Sequence, residues 1–187
     1  MSLSQDQAAE SLKEIDRTSR RSALAYSYAR TSPYLIMWGL IWMVGYGLSD
    51  LYPGAGSWHW TALTLGGLLV SILIGRRQAA SGDVPVRPGT GLQVFVTFFA
   101  IGLFITATYA IFGHAGPRQQ AAFVPLIVAL IYSVMGIWKG PRFLVMGIVI
   151  AALTLGGFFF LKDHFLLWMA VVGGGALVLG GLWLKTI

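Results

Sequence analysis

Six apolar stretches follow one another along this chain, at 33–51, 58–75, 91–113, 121–138, 143–161 and 165–184, and none carries an ionisable side chain at its centre. Each is close to the ~20 residues that a helix rising 1.5 Å per residue needs to cross ~30 Å of hydrocarbon. Lipid offers backbone N–H and C=O groups no partner, and the two-residue alternation of a barrel strand is missing, so helices are the expected state. The pattern predicts an all-α membrane protein: a six-transmembrane-helix bundle with a short cytoplasmic N-terminal amphipathic helix.

Composition agrees. Of the 187 residues, 56% are hydrophobic and 11% charged, against roughly a quarter charged in a soluble domain, and the mean hydropathy is +0.72. The absence of cysteine excludes disulfide frameworks, thiolate catalysis, iron–sulfur clusters and cysteine zinc sites. Two regions follow, a cytoplasmic arm at 1–32 and the transmembrane domain at 33–187. Residues 1–32 are polar and lack an apolar core segment, so they are expected to stay on the chain rather than to be cleaved as a signal peptide. The links between spans are short and rich in turn residues, as in Pro53-Gly54-Ala55-Gly56-Ser57 and Gly140-Pro141.

Lys and Arg accumulate on the cytoplasmic flanks of membrane helices. With the N-terminus inside, Lys13, Arg17, Arg20, Arg21, Arg30, Arg76, Arg77, Arg87, Lys139, Arg142 and Lys185 fall on the inner side, and only Arg118 and Lys162 on the outer. Six spans then place both termini in the cytoplasm, and a bacterial inner membrane is the expected location. The pI near 9.9 reads as a topology signal; the scattered cations form no aromatic-interleaved groove for direct nucleic-acid binding. Aromatic belts are expected at Tyr34, Trp38, Trp138 and Trp183 on the inner side and at Tyr52, Trp58, Trp60 and Trp168 on the outer.

Small residues four apart, at Ala62/Gly66, Gly147/Ala151, Ala152/Gly156 and Ala176/Gly180, are expected to mark packing faces. The run Gly173, Gly174, Gly175, Gly180, Gly181 predicts a central helix or a homo-oligomer contact. An offset of 108 residues lays Trp60 on Trp168, Gly39 on Gly147 and Gly66-Gly67 on Gly174-Gly175, suggesting a parallel hairpin repeat. Pro125 is expected to bend the fourth span and to free a carbonyl that a nearby hydroxyl satisfies.

Enzymatic chemistry is not expected. No nucleophile–base pair, nucleotide-binding loop or carboxylate pair at depth can be read, and no cofactor is implied. Two constellations remain. His59, His114 and His164 share the outer side with Asp50 and Asp163, and imidazoles with carboxylates are the ligand set for zinc or copper, for a haem edge, or for a charge change near pH 6. The segment Asp6 to Arg30 reads as a helix on which Ala8, Leu12 and Ile15 share a face, with acids early and Arg17, Arg20 and Arg21 late, as the helix dipole prefers. Leu12, Ile15, Arg17, Arg20 and Arg21 are the candidate contacts for anionic lipid or for a cytoplasmic regulatory protein. A sensor or scaffold acting through that arm is the expected function; a channel or carrier for a small neutral or apolar solute, and outer-face metal or haem binding, are the alternatives.

The stretch Ile15-Asp16-Arg17-Thr18-Ser19-Arg20-Arg21-Ser22, with Ser32-Pro33-Tyr34-Leu35-Ile36-Met37-Trp38-Gly39 and Gly45-Tyr46-Gly47, resembles a group of small six-span bacterial inner-membrane proteins without assigned activity. The resemblance covers mainly residues 15–50 and implies a membrane partner for a cytoplasmic regulator, with no catalytic residues to transfer. Trp58-His59-Trp60 resembles the tryptophan-rich, histidine-flanked outer loops of the haem-handling proteins of cytochrome c maturation, which also use six spans. Their long tryptophan-rich loop with its aspartate is missing here, so no role carries over.

Overall fold

The computed structural model describes residues 5–54, 58–81, 90–113 and 116–186. Its elements are α1 (Gln5–Leu51), α2 (Trp58–Ala80), α3 (Thr90–Phe112), α4 (Pro117–Lys139), α5 (Pro141–Phe160), α6 (Phe165–Trp168), a π-helical turn (Met169–Gly173) and α7 (Gly174–Leu184). Six helical segments are long and apolar enough to cross a membrane, the sixth running from Phe165 to Leu184. Among the described residues no Asp, Glu, Lys or Arg is buried; the buried polar side chains are Ser32, His59 and Thr154.

The expected arm and first span form one helix. At 47 residues, α1 is about 70 Å long, more than twice the hydrocarbon thickness. Pro33 lies inside it. An internal proline removes one helix bond and usually kinks or ends the helix. Packing on both sides of it offsets that cost: Tyr28, Ser32 and Leu35 are all buried.

Two antiparallel pairs make the core. In the first, α1 lies against α7 with small residues at the crossing. A methyl on Gly39 would sit 2.8 Å from the Gly174 carbonyl oxygen, and one on Gly174 would sit 2.8 Å from that of Gly39. Seven residues away, the Ser32 hydroxyl donates to the Gly181 carbonyl at 2.6 Å. In the second pair, α4 folds back on α5 through the single residue Gly140, whose φ of +123° suits glycine. Here Gly136 meets the Leu144 backbone, and Gly147 meets Ser133 and the Ala129 carbonyl. Phe143, Phe165, Met169, Leu177 and Leu184 fill the space between the pairs.

The other two spans are peripheral. Along α2, Trp60, Gly67, Gly75 and Gln78 face Gly45, Ile41, Tyr34 and Arg30 of α1. Arg30 Nε donates to Gln78 Oε1 at 3.3 Å while Gln78 Nε2 donates to the Arg30 carbonyl at 3.0 Å. None of the described α3 side chains is buried; Tyr109 meets Phe123 of α4 at 5.5 Å between ring centroids.

The small-residue expectation holds at some positions and is corrected at others. Gly147 and Gly180 are buried, but Ala62 and Gly66 are exposed, and Gly66 and Gly156 have nothing near them. Four-residue spacing puts small residues on one face without saying which face meets protein. Four of the five glycines near the end of the chain, Gly173, Gly174, Gly180 and Gly181, are buried against their own chain, which makes α7 a central helix; Gly175 faces open space.

Candidate functional site

Where the C-terminal end of α1 meets the start of α2, Ser49 is the hub. Its hydroxyl donates to the Gly45 carbonyl at 2.9 Å, accepts from Trp60 Nε1 at 3.0 Å, and lies 2.9 Å from His59 Nε2. A hydroxyl has one proton and two lone pairs. With that proton on the Gly45 carbonyl, His59 Nε2 must carry a hydrogen and donate it. Gly45 leaves room for the Trp60 ring, which a methyl there would meet at 2.6 Å, and Tyr46 packs edge-on to the same ring at 4.8 Å. His59 is thus a buried, hydrogen-bonded side chain.

The three expected ligands are not brought together by what is described. His59 is packed under α1, His164 is exposed on the turn before α6, and His114 lies outside the described residues. Among those residues no group of three His, Asp or Glu side chains is arranged to hold a metal ion. Asp50 is partly exposed and Asp163 exposed.

The expected belts divide. Trp58 and Trp138 are exposed, as headgroup anchors would be, while Trp60 and Trp168 turn back onto the preceding helix. Trp168 Nε1 donates to the Leu153 carbonyl at 2.9 Å, and its ring packs on Gly157. Counting back from each tryptophan, positions −11 and −15 are Ser49 and Gly45 in one hairpin and Gly157 and Leu153 in the other; glycine and hydrogen-bond acceptor exchange places. The 108-residue register therefore matches the tryptophans but not the glycines: Gly39 packs on α7, Gly147 on α4, and Gly66 on nothing.

Five hydroxyls within the apolar helices bond their own helix. Thr97, Thr106, Thr108, Ser133 and Thr154 each donate to the carbonyl four residues earlier, so these groups spend their proton locally.

At the opposite end of the bundle, Arg142 ties three helices together. Its Nη1 donates to the Trp183 carbonyl at 2.6 Å, supplying a cation at the C-terminus of α7 where the dipole favours one. Its guanidinium lies 4.8 Å from the Trp183 ring and 5.8 Å from the Tyr28 ring. Beyond this knot α1 continues with residues 9–23 all exposed. Leu12 and Ile15 are 66% and 64% exposed, and Arg17, Arg20 and Arg21 are exposed with them. A shallow groove along this stretch of the helix is lined by Ser11, Glu14, Ile15, Thr18, Ser19 and Ser22. The sequence singles out Leu12 and Ile15 on this stretch but not the hydroxyl-lined strip beside them, because Ser and Thr carry no hydrophobic periodicity.

No family model, curated protein or solved structure matches this chain.

Proposed function

We propose that this chain is a non-catalytic, multi-pass protein of the bacterial inner membrane, with both termini cytoplasmic, that holds a rigid helical arm out to a cytoplasmic regulatory protein. The observation that carries this reading is the continuity of α1. The helix that belongs to the core from Tyr28 onward extends toward the N-terminus without interruption to Gln5, and residues 9–23 are all exposed. An apolar pair on an otherwise polar helix is the usual anchor for a groove-bearing partner. The inner-side excess of Lys and Arg supports the orientation.

Charge favours a different protein over a second copy. Two arms side by side in one membrane would run parallel and set Glu10, Glu14 and Asp16 against their own counterparts, and Arg17, Arg20 and Arg21 likewise, which is repulsive at both ends. A partner with a basic patch toward the tip and acids toward the base is complementary.

The test is a crosslinking experiment in membranes with the full-length protein. A photo-reactive residue at Ile15 should form an adduct with one cytoplasmic protein, and Leu12→Ser should abolish it; a probe at the lipid-side Leu69 should not form it. An adduct that survives scrambling of residues 5–23, or none at all, overturns the reading.

A further inference from the structure

A second groove lies where the arm leaves the bundle. Its volume is about 420 Å³, and it is lined by Arg20, Ala23, Leu24 and Ser27 of α1 and by Trp138 and Lys139 at the end of α4. Two cations and a hydroxyl line it, no carboxylate does, and Trp138 is 83% exposed beside it. Asp16, one turn before Arg20 on α1, lies outside the lining.

The groove is held open by its surroundings. Gly140, immediately after Lys139, is so close to α1 that a methyl on it would collide with the Tyr28 hydroxyl and lie 3.0 Å from Leu24. The Arg142 backbone N–H donates to that same hydroxyl at 3.4 Å. The α4–α5 turn thus fixes the spacing between the two elements that carry Arg20 and Lys139.

We propose that this groove binds the headgroup phosphate of an anionic phospholipid, with Arg20 and Lys139 on the phosphate, and Leu24 and the Trp138 ring against the upper acyl chains. Charge complementarity and position select this occupant: the cations stand at the end of a membrane-spanning helix, at the level where an exposed tryptophan sits among headgroups. A soluble anion would have no use for the indole or for Leu24. The proposal rests on the membrane placement given above but not on the arm's partner, and sedimentation with carbonate-washed membranes reports that placement separately.

The experiment titrates short-chain phosphatidylglycerol into the detergent-purified full-length protein, with phosphatidylcholine and inorganic phosphate as comparators, and reads retained lipid by native mass spectrometry and melting temperature. Phosphatidylglycerol should bind about tenfold or more tighter than phosphatidylcholine. Each cation near an anionic lipid is worth roughly fivefold, so Arg20→Gln with Lys139→Gln should weaken it by roughly 30-fold, while Lys139→Arg should retain it. Arg76→Gln with Arg77→Gln removes as much charge from the same side of the protein and should change affinity by less than about threefold. Equal losses in the two double variants, equal affinity for both lipids, or inorganic phosphate stabilising as much as phosphatidylglycerol would each overturn the proposal. Should the Arg20/Lys139 variant melt early without lipid, the single variants carry the same comparison.

Discussion

The Tyr46 hydroxyl of α1 donates at 2.8 Å to the carbonyl of Ala121 in α4, the carbonyl that Pro125, four residues on, leaves without a helix partner. Tyr46 is buried and Pro125 is fully buried, so neither group has water to turn to. The side chain of one span repairs the backbone of another. The two residues should therefore be energetically coupled. Tyr46→Phe should cost about 0.5 to 1.5 kcal/mol in mixed-micelle unfolding, and less than about half of that once Pro125→Ala restores the missing N–H. Equal costs in both backgrounds would show the hydrogen bond to be incidental.

The α1–α7 crossing should tolerate no bulk. Gly39→Leu or Gly174→Leu must push the paired backbones apart and should lower stability by about 2 kcal/mol or more. The same change at Gly66 or Gly175, where nothing stands nearby, should leave the melting temperature within a few degrees of the parent. Melting curves of the four purified variants make the comparison.

Ser49 serves two donors from α2, so its loss should exceed that of either donor. Ser49→Ala leaves Trp60 Nε1 and His59 Nε2 without their acceptor and should cost about 1 to 3 kcal/mol. Trp60→Phe, which keeps most of the packing, should cost less. Unfolding titrations of the two variants decide the order.

Gly140→Ala combines an unfavourable φ with a collision at Tyr28, and should cost about 1 to 3 kcal/mol. Tyr28→Ala is itself costly in this buried position, but it removes the collision and not the backbone strain, so Gly140→Ala should cost less in the Tyr28→Ala background than in the parent. Melting temperatures of the single and double variants check both steps.

Truncation of residues 1–19 should leave the melting temperature of the bundle almost unchanged, because the exposed arm contributes few contacts to it. A shift of more than a few degrees would mean that the arm lies down on the bundle.

Helix number and approximate limits were legible because an apolar run of bilayer length has few other uses. The repair of the Ala121 carbonyl was legible in kind, since a buried proline in a helix obliges some donor to exist, though nothing local named Tyr46. What could not be read was which helices pair. Gly66 and Gly174 look alike in sequence, yet one faces open space and the other meets Gly39, because the choice depends on contacts more than a hundred residues away. Continuity through Pro33 was hidden for a similar reason: Ser32 and Ile36 hold that turn against Gly181 of α7, and that partner arrives last in the chain. Of the histidines, His59 answers to Ser49 and His164 to solvent, pairings that no spacing in the sequence announces.

An unbroken α1 has an angular consequence. Every residue added between Ala23 and Leu24 would turn the Leu12–Ile15 face by about 100° about the rod's axis while the seam with α7 stayed put. Seven added residues would bring it back to within about 20°. The bearing of the arm is thus set in phase with a glycine contact inside the bundle, as the hand of a clock is set by its spindle.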